Sequence, residues 1–335
     1  MALGKRQRRI LAVLGASLGG LLALWVSAPL WYPWVLRPIA KKQGVHYSKY
    51  EREGYGRFAL YGVGFTNQGI KLHVERIDAF VPTVWLWRRA LATGREQEPF
   101  VRVSGWRFES VPSGQAGKGE STYSTVGKVR TIVQTVQKWL PNAALSNGSV
   151  RVQTTVIGLP GVTWSRGKVR AEIELLEQAQ QLALSANLGN TQAWTFRVQS
   201  DSLHLESDLQ LADDSSGLKI QGTSLWWSNR IELDAQFGRA GALPDKASLH
   251  AKDFHLPAEL AGLEGYRELS GSVAATWESG QFAMDARAQA TPQPGQTNLP
   301  PATLDLHARG DTNSATIQSA ACAWRLFRTC VRRLD

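Results

Sequence analysis

The sequence predicts a mainly β protein with an N-terminal transmembrane helix, then a long curled antiparallel β-sheet and one amphipathic helix near residues 123–140. Three observations lead to this prediction: an uncharged segment at residues 10–36, a helical apolar stripe that stops before Pro141, and alternating apolar and polar residues after residue 145. Alternation with a period of two is typical of strands that have one covered face and one wet face.

Residues 10–36 carry no charged side chain, and about 20 apolar residues are enough for a helix to cross a bilayer. The basic stretch "KRQRR" precedes this segment, and aromatic residues, which favour membrane interfaces, cluster at its far end. We therefore expect a cytoplasmic basic segment at residues 1–9 and an uncleaved transmembrane anchor at 10–36, with a cleaved signal peptide as the alternative. The expected anchor residues are Ile10, Leu14, Leu18, Leu22, Trp25, Trp31 and Trp34.

The net charge of +10 belongs to the first third of the chain. Residues 1–110 hold 17 basic and 7 acidic side chains, whereas residues 111–335 hold 21 of each. A nucleic-acid-binding protein would carry the excess on its folded body, so no nucleic-acid partner is expected. The excess of positive charge lies beside the apolar segment, which indicates that this part of the chain contacts a membrane surface. The positive-inside rule favours a cytoplasmic N-terminus, with the body in the periplasm.

The body, residues 37–320, is predicted to be a β-rich domain. A hairpin is expected at "TNQG", residues 66–69, because this turn sequence joins two alternating runs. Within the body, Val126, Val129, Val133, Val136 and Leu140 repeat at intervals of three and four, which predicts an amphipathic helix. This helix is expected to pack on the sheet or to plug its end, and a helix lying on a membrane is the alternative.

No amphipathic helix is predicted after residue 141, so helices cannot cover the apolar sides of the later strands. A sandwich or barrel could cover them, and so could a long curled sheet whose concave apolar face stays open to a ligand. A sheet of about 14 strands would twist and curl, and its apolar side would exceed the patch size of soluble monomers. The side chains expected to face this groove are Leu203, Leu205, Leu209, Leu211, Ile231, Leu233, Phe237, Phe282 and Met284.

The sequence shows no pattern for covalent, metal or cofactor chemistry. A nucleophile elbow, a zinc-binding helix, a dinucleotide fingerprint and a calcium loop are all missing, and the six histidines are scattered. The two cysteines, Cys322 and Cys330, lie near the end of the chain, which disfavours a disulfide scaffold. The sequence therefore predicts no enzyme, no catalytic residue, no metal site and no cofactor.

Three stretches resemble the AsmA-like superfamily, and above all the N-terminal regions of its TamB-like members. They are "YGRFALYGVGFTNQGIKLHVERIDAFVPTVWLWRR", "KWLPNAALSNGSVRV" and "FHLPAELAGLEGYRELSGSVAATWESGQFAMDARAQA". The resemblance covers most of residues 1–310 and rests on patterns rather than on fixed residues. It implies a single-pass inner-membrane protein with a periplasmic body that binds or conducts phospholipid along an apolar β-groove between the envelope membranes.

The alternative function is an envelope or outer-membrane protein assembly scaffold that acts by β-edge pairing, with an outer-membrane assembly protein as its partner and without lipid transport. The chain departs from the AsmA-like pattern in its shortness and in its end, where residues 321–335 ("ACAWRLFRTCVRRLD") form an atypical basic tail. This departure is compatible with an N-terminal portion or a truncated member of the superfamily.

Overall fold

A computed structural model describes residues 33–42, 44–67, 70–90, 98–110, 121–152, 155–175, 180–296, 299–312 and 314–323, together with residues 17, 19, 20 and 27. Within these residues the protein is mainly β, with 18 strands, which confirms the predicted class. The chain divides into two compact units, residues 1–114 with 140–164 and residues 115–139 with 165–335.

The first unit contains two helices and seven strands. They are α1 (residues 33–42), β1 (Val45–His46), β2 (Lys49–Glu53), β3 (Arg57–Asn67), β4 (Ile70–Phe80), α2 (Pro82–Ala90), β5 (Val101–Ser110), β6 (Asn142–Val152) and β7 (Thr155–Ser165). The β3–β4 pair is the predicted hairpin at "TNQG", with Asn67 opposite Ile70. Strands β1 and β2 both pair with β3, β4 pairs with β5, and β5 pairs in parallel with β6.

The core of the first unit lies where β3, β4 and β5 meet α2. Phe80 and Phe100 are buried there, and Phe58, which the β3–β4 register places on the opposite face of the sheet, is buried as well. The rings of Phe80 and Phe100 meet edge to face, with centroids 5.5 Å apart, which is a favourable aromatic geometry. Helix α2 was not predicted as a separate element. It begins at a proline, a residue suited to the first helical position because its missing N–H needs no partner there.

The second unit contains one long helix and eleven strands. They are α3 (Thr122–Trp139), β8 (Lys168–Leu175), β9 (Gln180–Asn187), β10 (Ala193–Ser200), β11 (Leu205–Asp214), β12 (Gly217–Trp226), β13 (Asn229–Gly238), β14 (Lys246–Pro257), β15 (Tyr266–Glu278), β16 (Gln281–Pro292), β17 (Ala302–Asp311) and β18 (Ala315–Ala323). Each strand pairs antiparallel with the next from β8 to β18, so this unit is one large open antiparallel sheet.

Helix α3 matches the helix predicted for residues 123–140. The Ser121 hydroxyl accepts a hydrogen bond from the Ser124 backbone N–H at 3.1 Å, as expected of an N-cap. Tyr123, Val126 and Val133 pack against a buried cluster of Trp194, Leu211 and Leu218 on the sheet. The helix therefore packs on the sheet of its own unit, as the first of the two interpretations of its apolar stripe expects.

The predicted anchor, residues 10–36, lies mostly outside the described residues; residues 17, 19, 20, 27 and 33–36 are helical. Within the described part of the chain, no helix is both long enough and apolar enough to cross a membrane. At the other end, the last strand, β18, includes residues 321–323 of the predicted basic tail and pairs Ala323 with Thr303. Residues 324–335 lie outside the described residues.

Candidate functional site

The strand register of the second unit gathers the predicted groove residues on one face. Leu209 faces Phe196 on one side and Gly222 on the other, and Gly222 in turn faces Leu233. Directly opposed residues of neighbouring strands point to the same side of a sheet. Following such pairs places eight of the nine predicted side chains on one apolar face: Leu205, Leu209, Leu211, Ile231, Leu233, Phe237, Phe282 and Met284.

Leu203 does not belong to that face, because it lies in the turn before β11. Residues 201–204 form a turn, and β11 begins at Leu205. His204 takes a left-handed φ of 47°, a conformation that a strand residue does not adopt, and its ring lies 4.1 Å from the ring of Trp227. The predicted strand was therefore two residues too long at its start.

The apolar face is partly open to solvent along most of the sheet. Leu205, Leu209, Ile231, Leu233, Phe237, Phe282 and Met284 are half-buried, whereas Leu211 is buried. Farther along the same face, Leu249, Leu304 and Ile317 are 36%, 40% and 43% exposed. A second packed layer would bury such side chains almost completely. The exposed fractions of the described apolar side chains therefore agree better with an open sheet than with two sheets packed face to face.

The face is closed at two places, at opposite ends of the strands. Helix α3 covers the first place, where Arg130 forms an ion pair with Asp213 and lies 5.3 Å from the centre of the Trp194 ring. The hydroxyl of Thr122 also donates a hydrogen bond to the Ala242 carbonyl at 2.8 Å.

The second closure is a smaller cluster built around Tyr266, Ala258 and Ala290. The Tyr266 hydroxyl donates a hydrogen bond to the Pro300 carbonyl at 2.9 Å, which satisfies this buried polar group. Between the two clusters the apolar side chains of the sheet remain partly accessible.

The opposite face of the sheet is polar and borders a cavity of about 850 Å³ along β8–β14. Each of these strands contributes two polar side chains that are two positions apart in the sequence. Such residues point to the same side of a strand, as expected when a cavity lies on one side of a sheet. The polar side chains are Lys168 and Arg170, Ser185 and Asn187, Thr195 and Arg197, Asp208 and Gln210, Gln221 and Thr223, Glu232 and Asp234, and Ser248 and His250. Leu209 and Leu233 also border the cavity, but the register places their side chains on the apolar face.

Cross-strand pairs hold the polar face together. The Arg197 guanidinium donates two hydrogen bonds to the Asp208 carboxylate, at 2.6 and 3.0 Å, and these bonds hold the pKa of Asp208 below its usual value. The Gln221 amide donates to Asp234 at 2.6 Å. With three basic and three acidic side chains among its lining residues, this surface offers hydrogen bonding rather than a net charge. It is unsuited to acyl chains, since burying paired polar groups beneath hydrocarbon is unfavourable.

Sequence reasoning did not single out these polar rows as lining a cavity. The alternation of polar residues in each strand shows which side chains share a face but not which face borders a cavity. The apolar face was expected to be the concave one, whereas this cavity lies on the polar face. Of the predicted anchor residues, Trp34 is described: it lies in α1 and is 82% exposed. The others, Ile10, Leu14, Leu18, Leu22, Trp25 and Trp31, lie outside the described residues.

Searches of protein-family models, curated proteins and solved structures found no match to this chain.

Proposed function

We propose that this protein is a single-pass inner-membrane protein whose periplasmic body binds or conducts phospholipid through the apolar face of its second unit. The observation that carries the proposal is the apolar face of β10–β18, which is half-exposed between its two closed places. Apolar patches on soluble monomers rarely exceed a few hundred Å², and larger ones mark sites that bind another apolar surface.

The dimensions of the face suit an acyl chain. Strands β10 to β18 are nine neighbours, so at about 4.8 Å between strands the face extends about 38 Å. This length exceeds the roughly 15 Å depth of one leaflet's hydrocarbon region. Each acyl methylene that leaves water on this face would contribute about 0.8 kcal/mol, so one chain of a phospholipid would be held firmly.

Two features of the sequence support the membrane part of the proposal. The uncharged segment at residues 10–36 follows a basic stretch, and the net positive charge is confined to residues 1–110. The resemblance to the AsmA-like superfamily points the same way, towards a periplasmic body and a phospholipid ligand. The proposal assigns no catalytic residue.

The test of lipid binding compares two neighbouring residues of β11 that lie on opposite faces. Leu209→Glu places a charge on the apolar face, and Gln210→Glu places the same charge on the polar face. We expect the full-length parent and the Gln210→Glu variant, purified in mild detergent, to retain phospholipid detectable by mass spectrometry. The Leu209→Glu variant should retain several-fold less. Equal lipid content in both variants, or none in the parent, would refute the proposal.

The test of membrane topology uses a reporter that is active only after export, fused after Gly241. This residue is exposed in the loop between β13 and β14, so a fusion there leaves β8–β13 complete. Reporter activity is expected in intact bacteria. Activity of a matched cytoplasmic reporter at the same residue would overturn the predicted orientation.

The alternative, an assembly scaffold, draws support from β18. Within the described residues, this strand pairs with β17 and with no other strand, so its second edge can accept an added strand. Ile317 is 43% exposed on this strand. If the parent carries no lipid but an outer-membrane protein crosslinks to residues of β18, the scaffold becomes the better account.

A further inference from the structure

Helix α2 is held against the first unit in a single rotational orientation. The Trp85 ring meets the Phe100 ring edge to face, with centroids 6.3 Å apart. One turn later, the Arg88 guanidinium lies 4.3 Å from the centre of the Phe80 ring and 3.7 Å from the Glu98 carboxylate. Residues three apart lie on the same side of a helix, so Trp85 and Arg88 define its inner side.

The two residues between them are turned away from the sheet. Leu86 and Trp87 are 51% and 61% exposed, although both are large and apolar. Packing of α2 within its own unit accounts for the half-buried Trp85 but not for the exposure of the next two apolar side chains. Because Trp85 and Arg88 face the rest of the unit, Leu86 and Trp87 point outward from it.

The surroundings of this apolar pair are basic. Helix α2 contains Arg88 and Arg89 and no acidic residue. Its nearest acidic partner, Glu98, is shared by three guanidinium groups: Arg57 at 3.4 Å, Arg88 at 3.7 Å and Arg102 at 3.0 Å. Asp78 also lies near Arg57, but it is paired with Arg76, so the carboxylates do not neutralise all of the guanidinium groups and this corner of the unit carries a net positive charge.

The same chemistry occurs in α1, which overlaps the last residues of the predicted anchor, Trp34 among them, and extends to residue 42. Trp34 and Ile39 are 82% and 55% exposed there, beside the basic residues Arg37, Lys41 and Lys42. Eight residues separate the end of the predicted anchor at residue 36 from β1, so the first strand begins within about 30 Å of the bilayer even for a fully extended chain. An exposed apolar surface with a basic surround, close to a membrane, matches the composition of interfacial membrane contacts.

We propose that Leu86 and Trp87 of α2 form a second membrane contact, in which both side chains enter the headgroup region of an anionic leaflet that the positive charge of this part of the unit attracts. This inference rests on the proposed membrane anchor. It adds a surface that fixes the orientation of the first unit on the bilayer, since an anchor alone would leave that unit free to rotate about its tether.

The test places a fluorescent probe beside the apolar pair without replacing it. Ala90 is exposed one turn after Leu86, and Ala240 is an exposed alanine in a loop of the second unit. In full-length protein with Cys322→Ser and Cys330→Ser, a polarity-sensitive dye is attached to Ala90→Cys or, as the matched control, to Ala240→Cys. Each protein is reconstituted into nanodiscs of phosphatidylcholine with or without phosphatidylglycerol.

We expect the dye at residue 90 to shift to shorter emission wavelength and to lose about threefold in quenching by aqueous iodide when anionic lipid is present. The dye at residue 240 should remain quenched. Adding Leu86→Ser and Trp87→Ser to the Ala90→Cys protein should restore quenching, and 1 M salt should weaken protection in the parent because it screens the arginines.

The inference is overturned if the dye at residue 90 is quenched as strongly as the dye at residue 240 in anionic nanodiscs. It is also overturned if the double serine variant remains protected. Failure of the proposed anchor gives a different result, because the full-length protein would then not enter nanodiscs of either composition. Failure of lipid binding on the apolar face would appear only in the co-purified lipid and would leave the probe result unchanged.

Discussion

The clearest quantitative test of the open apolar face compares two leucines on that face in adjacent strands. Leu218 in β12 is 0% exposed and belongs to the cluster that α3 covers, together with Trp194 and Leu211. Leu233 in β13 has the same alternating sequence pattern but is only half-buried, opposite Gly222. Replacing each leucine with alanine removes the same atoms from two different environments.

The expected costs follow from burial. Truncating a fully buried leucine costs the transfer free energy of the lost atoms plus a cavity term, so Leu218→Ala should lower the free energy of unfolding by about 3 kcal/mol. The region around Leu233 is open and can hydrate, so no closed cavity forms. Leu233→Ala should therefore cost only part of the transfer term, about 1 kcal/mol.

Urea unfolding of the full-length variants in the same mild detergent measures both costs. Intrinsic tryptophan fluorescence reports on the relevant region, since Trp194 lies in the cluster with Leu218. If Leu233→Ala proves as destabilising as Leu218→Ala, Leu233 is covered by protein, and the argument for an exposed lipid-binding face fails.

Three further predictions concern other parts of the second unit. Arg130→Ala, which removes the ion pair with Asp213, should loosen α3 and increase hydrogen exchange in residues 122–139 without unfolding the sheet. Asp208 has a lowered pKa through its hydrogen bonds from Arg197, so its contribution to stability should be present above about pH 4 and be lost as the pH falls. The difference in urea midpoint between the parent and Asp208→Asn should accordingly vanish in acid. Deleting residues 324–335 should leave the thermal transition in place, and a large loss of cooperativity would show that this segment is docked on the body.

The sheet of the second unit was predictable because its strands obey a period of two over long stretches. In β13, Ile231, Leu233 and Phe237 alternate with Glu232 and Asp234, and the register preserves this alternation across the sheet. Any shift by one residue would move an entire apolar set to the wet face. The amphipathic helix at residues 122–139 was predictable for the same kind of reason, because its apolar stripe has the period of a helix.

Local departures from these periods were less predictable. Helix α2 has only nine residues, too few for a periodic pattern to stand out, and its signal is a single proline at the start. Before β11, the leucine pattern continues back to Leu203, but Asp201 and Ser202 open a turn over residues 201–204, so the strand begins only at Leu205. In both cases one or two residues determine where an element begins, and the periodic pattern of the surrounding sequence does not.

The accessibility of each apolar residue could not be predicted from alternation at all. Leu218 and Leu233 follow the same pattern, and their burial differs because α3 lies over one and not over the other. The contacts of α3 with the sheet are far apart in the sequence: Arg130 and Asp213, which form an ion pair, are separated by 83 residues. The same reasoning applies to the polar face, where polar residues of seven strands border a cavity that the alternation within any one strand does not predict. A strand's sequence thus determines which side chains share a face, whereas the function of that face depends on what the rest of the chain leaves uncovered.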